Sequence, residues 1–165
     1  MVIRKTISEW ELLIFTSKPA FILWKDSKNI LNLETKIKKK FWKVFKITLK
    51  EVRTPELSAK IMNEFIIHQI ENRLPFKRVC KQILEKVMEK WAMGIKIQIW
   101  GRLNGVDIAR TEKYAQWVVP LQTLRSDIDY HYDTAKTKYG VLWVKVRICR
   151  WELFKKERWL LQIAA

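Results

Sequence analysis

Gly94-Ile95-Lys96-Ile97-Gln98-Ile99-Trp100-Gly101 is the stretch on which the reading of the fold turns. Ile95, Ile97 and Ile99 face one way and Lys96 and Gln98 the other, the period of two that marks a half-buried strand. Gly101-Arg102-Leu103-Asn104-Gly105 follows as a turn. Downstream the same period returns twice. Ile128, Tyr130 and Tyr132 alternate with Asp127, Asp129 and His131, and Leu142, Val144, Val146 and Ile148 alternate with Trp143, Lys145 and Arg147. Upstream the period is helical. Thr54-Pro55-Glu56 supplies a capping threonine, a proline at the first helical position and an early acid. Leu57, Ile61, Phe65, Ile66 and Ile70 then form one apolar stripe, which Asn72 to Pro75 ends. A second helix is predicted from about 76 to 91, its stripe being Phe76, Val79, Cys80, Ile83, Leu84 and Val87. Two helices followed by alternating strands predict an α+β domain with a mostly antiparallel sheet over residues 55–150.

The first 54 residues read as a smaller unit. Residues 11–15 suggest a strand, Ser17-Lys18-Pro19 breaks it, and residues 28–40 carry Ile30, Leu33 and Ile37 at helical spacing. Lys36 and Lys38 to Lys40 suit the C-terminal end of that helix dipole. Val44, Phe45, Ile47 and Leu49 suggest a second strand before Arg53-Thr54-Pro55. The result is β, α, β. Residues 151–165 form a basic tail without a clear period.

Charge narrows the partners. The 165 residues carry 33 lysines and arginines against 17 acids, a net charge of +16. So large an imbalance repels itself unless a polyanion neutralises it, and nucleic acid is the commonest. No apolar run approaches the length of a membrane span, and no membrane partner is expected. Cys80 and Cys149 have no metal-type spacing and read as two free thiols in a reducing compartment. The opening MVIRKTISEWELLIF lacks the pattern of a secretory signal, and Glu9 and Glu11 count against an amphipathic transit peptide.

The leading candidate site lies at the start of the second predicted helix. At about 100° per residue, Lys77, Arg78 and Lys81 fall opposite the Phe76/Val79/Ile83 stripe, where they suit contact with phosphates. An ordinary solvated helix face is the competing reading. Lys96, Arg102, Arg110 and Arg125 form a second cationic set over strand edges and turns. Asp127, Asp129, His131 and Asp133 alternate along one strand and raise the idea of a metal-dependent nuclease. Alternate strand residues sit about 7 Å apart, too far to converge on one ion, so neither a metal nor an enzyme is expected. His68 reads as structural, and there is no Ser/His/Asp set, P-loop or CxxC pair. No cofactor is implied.

A family resemblance extends this reading. It is carried by Pro55-Glu56-Leu57-Ser58-Ala59-Lys60, Phe76-Lys77-Arg78, Gly94 to Gln98, Gly101 to Gly105 and Ile108-Ala109-Arg110-Thr111-Glu112. It continues through Val119 to Arg125, Asp127-Ile128-Asp129-Tyr130 and Tyr139-Gly140-Val141, all in order. From Pro55 onward the chain resembles the third protein of the small ribosomal subunit, in its bacterial and organellar form. Residues 12–54 more weakly resemble that family's KH domain, through Thr16 to Pro19 and Glu51-Val52-Arg53. The resemblance implies a truncated KH-like module ahead of the family's C-terminal domain. It implies binding to small-subunit rRNA and neighbouring proteins in the head, and a place lining the mRNA entrance channel. In the family, basic residues at the start of the second helix face incoming mRNA; the matching positions are Lys77, Arg78 and Lys81. The runner-up is a free-standing KH-type RNA-binding protein outside the ribosome.

Departures from the family pattern carry expectations of their own. The KH loop should be Gly-x-x-Gly, so that bare backbone reaches phosphate, but Trp24-Lys25-Asp26-Ser27 stands there and clamping is expected to be lost. The family's N-terminal segment is not seen, so the strand at 11–15 is expected to have an uncovered edge. A separately encoded N-terminal fragment of the same family is the partner expected to cover it. Glycine numbers four where an average chain would have roughly twelve, while tryptophan numbers nine. Trp24, Trp91, Trp117, Trp143 and Trp151 fall at family glycine positions, with Trp10 and Trp42 aligning there more loosely. Either a divergent organellar ribosome tolerates this bulk, or the reading frame uses a codon whose meaning differs. These features, with lysine and isoleucine richness, favour an organellar ribosome, mitochondrial above plastid.

Overall fold

The computed structural model describes residues 2–5, 10–17, 19–20, 28–42 and 45–154. The chain divides into two compact units, residues 1–54 and 55–165. In the first, β1 (Val2–Lys5), β2 (Trp10–Thr16) and β3 (Phe45–Glu51) form a sheet in the order β1-β2-β3, and α1 (Lys28–Phe41) connects β2 to β3. β1 pairs antiparallel with β2, and β2 parallel with β3. The expected uncovered edge on the 11–15 strand is therefore incorrect. That strand is central, Leu12 and Leu13 are buried, and the edges are β1 and β3. The loop at 24–27 lies outside the described residues, as does most of the tail.

The second unit is α+β, as its sequence predicts. α2 (Ala59–Glu71) and α3 (Phe76–Glu89) pack on one face of a sheet ordered β5-β4-β7-β6. Its strands are β4 (Gly94–Gly101), β5 (Arg110–Trp117), β6 (Ser126–Thr137) and β7 (Gly140–Glu152), all antiparallel to their neighbours. α2 lies against β6 and β7, and α3 against β4 and β5. Ile95, Ile97 and Ile99 of β4 and Leu142, Val144, Val146 and Ile148 of β7 point into this layer. All six stripe residues of α3 are buried against them.

The start of α2 corrects the expected cap. Pro55–Leu57 is a single 3₁₀ turn, and the helix begins at Ala59 with Ser58 as an extended N-cap. Ser58 makes no capping hydrogen bond with its side chain; the Ala59 amide instead donates to Asp129 Oδ2 of β6 at 2.9 Å. The buried face moves accordingly. Ala59, Met62, Asn63, Ile66 and Ile70 point inward, while Ile61 and Phe65 are only partly covered. Gly94 earns its place by close approach, since a Cβ there would sit 2.3 Å from the Val118 carbonyl oxygen.

Candidate nucleic-acid interface

α3 begins directly after Pro75, whose extended backbone turns the chain into the helix. With Phe76, Val79, Cys80 and Ile83 facing the sheet, Lys77, Arg78 and Lys81 must face solvent, and all three are exposed. They border one open hollow of about 550 Å³ with Gln82, Glu85 and Tyr114. None makes an ion pair among the described residues. Three cations thus stand on a rigid scaffold with their charge free for a partner. Tyr114, which also lines the hollow, donates its hydroxyl to Glu112. Burial and that carboxylate push the phenol above its ordinary range, so it stays neutral.

The second predicted set disperses. Arg102 pins its own loop: Nε donates to the Val106 carbonyl at 2.9 Å, and its terminal nitrogens reach the Tyr139 carbonyl and Asp107. Arg125 donates to Glu152 at 2.6 Å and lies over the Phe154 ring. These two side chains serve intramolecular contacts. Arg110 is exposed at the start of the edge strand β5. Lys96 lies on the sheet face turned away from the helices.

That outer face forms a patch that strand register alone brings together. The strand register lays three rows across it. Ala115, Lys96, Arg147 and Tyr130 make one; Lys113, Gln98, Lys145 and Tyr132 the next; Thr111, Trp100, Trp143 and Thr134 the third. No carboxylate occurs in any row. Tyr132 stacks on Trp143 at 5.5 Å between centroids, and Trp100 lies 6.0 Å from Trp143. Lys145 and Arg147 sit over Tyr132 and Tyr130. The signal was present in the alternation of Lys145 and Arg147 with the valines of β7. Seeing it as a patch required the register that sets Lys113 and Lys96 beside them.

Two acids of β6, Asp127 and Asp129, have a structural task. Asp129 caps α2 and accepts from Arg150 at 2.8 Å, while Asp127 accepts from the same guanidinium at 3.5 Å. Arg150 also donates to the Leu57 carbonyl at 3.0 Å. Among the described residues no three metal-ligating side chains gather as an ion would need. None of the described helices is long and apolar enough to cross a membrane.

Comparison with known proteins agrees with this architecture. The family described as ribosomal protein S3, C-terminal domain, matches residues 66–148. Small ribosomal subunit protein uS3 of Enterococcus faecalis is 41% identical over 94% of this chain and 72% of its own length. The chain belongs to the ribosomal protein S3 family. The uS3 proteins of Streptococcus gordonii and Streptococcus mutans are 41% and 40% identical, each over 92% of this chain and 70% of their own length. All three relatives are bacterial, so the comparison lends the mitochondrial setting expected from composition no specific support. Within this S3 family member, the matched region runs from Ile66 in α2 through α3, β4, β5 and β6 to Ile148 in β7.

Proposed function

We propose that the chain is a structural constituent of the small ribosomal subunit that binds rRNA in the head and helps to form the mRNA entrance channel. It acts by placing charge and shape, with no catalysis of its own. The observation that carries this reading is the exposed Lys77, Arg78 and Lys81 set, unpaired by any described carboxylate and fixed on a helix whose other face is core. Single-stranded RNA passing such a helix exchanges its counterions for fixed ammonium and guanidinium groups. A rigid cationic edge resists the return of a melted strand to its duplex. The carboxylate-free outer face of the sheet serves the other half of the role, because cations interleaved with aromatic rings suit phosphate and base contacts together.

The test is charge reversal of Lys77, Arg78 and Lys81 together. Translation of structured messages should fall more than translation of unstructured ones. An equal fall in both would show that the three residues form an assembly surface and not part of the channel.

A further inference from the structure

We infer that positions 42, 91 and 117 are occupied by glycine in the protein that the source cell makes, a codon written as tryptophan being decoded there as glycine. The backbone carries the inference. Five described non-glycine residues have positive φ, and three are tryptophans: Trp42 at 56°, Trp91 at 62° and Trp117 at 59°. Only a few per cent of non-glycine residues adopt this region, and a bulky side chain there is an outlier. Seven tryptophans are described, namely 10, 42, 91, 100, 117, 143 and 151. At such a frequency, three of seven arriving there by chance is on the order of one in several hundred.

The setting of each position points the same way. Trp42 directly follows α1 and donates its amide to the Lys38 carbonyl at 2.9 Å. Trp91 follows the C-cap Lys90 of α3 and donates to the Met88 carbonyl at 3.0 Å. These are left-handed helix stops, the positions at which glycine is most strongly enriched because it lacks a Cβ to clash. Trp117 ends β5 opposite Gly94, where the chain already passes too closely for a Cβ. The side chains return little in exchange. Trp42 and Trp91 are each 92% exposed and Trp117 74%, although tryptophan is highly buried on average.

Arg73 at 64° and Asn104 at 58° show that other residues can hold such a conformation here. The inference therefore rests on the concentration of tryptophan at these sites, which the shortage of glycine in the whole chain matches from an independent direction. Trp143 and Trp151 lie within β7 and have no positive φ, so it does not extend to them. Trp24 lies outside the described residues.

The experiment uses ribosomes from the source cell. Tryptic peptides spanning 91–96 and 114–125 are identified by mass, and the gene is read at the three codons. We expect glycine masses in both peptides and one shared codon at 42, 91 and 117 that is not the universal tryptophan codon. A tryptophan mass in either peptide, or the universal tryptophan codon at these positions, would overturn the inference.

Discussion

Asp129 shows how one residue can be visible in a sequence while its task is not. Its alternation with Tyr130 places it on a strand, but not beside any particular partner. Asp129 caps the amide of Ala59, 70 residues away, and pairs with Arg150. No local pattern encodes that partner. Replacing Arg150 with alanine should cost about 2 kcal/mol, since it strands two partly buried carboxylates and the Leu57 carbonyl. Urea unfolding measures this, and a loss below about 0.5 kcal/mol would reduce the trio to a surface pair. Cys80 offers a second check. Burial, with Glu112 nearby, pushes its thiol up to about 12 from an ordinary 9.0. A raised acid favours the fold while it stays protonated. Its contribution is therefore complete below pH 9 and is lost as the pH climbs toward 12. At pH 8 a thiol reagent should leave Cys80 and the buried Cys149 unmodified until denaturant is added. In recombinant chain, Trp91→Gly should stabilise by about 1 kcal/mol, whereas Trp91→Ala should not, because only glycine relieves the left-handed strain.

Among the elements, α3 was the most legible and β5 the least. Six apolar residues of α3 recur at helical spacing, and every one is buried where the stripe said it would be. β5 reads Arg-Thr-Glu-Lys-Tyr-Ala-Gln-Trp, an edge strand whose inward face is Glu112, Tyr114 and Gln116, so hydrophobic periodicity has nothing to register. β1 is only four residues long and owes its existence to pairing with β2. Thr54-Pro55 has sound capping chemistry, but α2 starts later, at Ala59, where Asp129 supplies a tertiary cap. The candidate site divides along the same line. The exposure of Lys77, Arg78 and Lys81 follows from helical geometry alone and is legible in the sequence, whereas the rows on the outer face depend on register between strands and are not. Function and stability should separate on α3. Ile83→Ala should cost about 3 kcal/mol from the fully buried layer. Reversal of Lys77, Arg78 and Lys81 should shift stability by no more than about 0.5 kcal/mol per substitution, because all three are exposed and unpaired. Thermal melts of the two variants would show whether the cationic face is free of structural duty.

At the scale of the whole molecule the excess of positive charge sets the terms. A net charge of +16 on 165 residues should make the proposed binding to RNA steeply dependent on salt. Removing the three α3 cations should lower the salt slope of single-stranded RNA binding by about 2, from the counterions three contacts release. The chain should stay with small subunits through a high-salt wash, held by many contacts at once. A free-standing RNA-binding protein would be released as counterions compete. The most direct measurement places a photo-crosslinker in turn at 77, 78 and 81 in assembled small subunits carrying a long mRNA. We expect crosslinks to the mRNA just downstream of the decoding position. Crosslinks confined to rRNA or to neighbouring proteins would contradict a channel-facing α3.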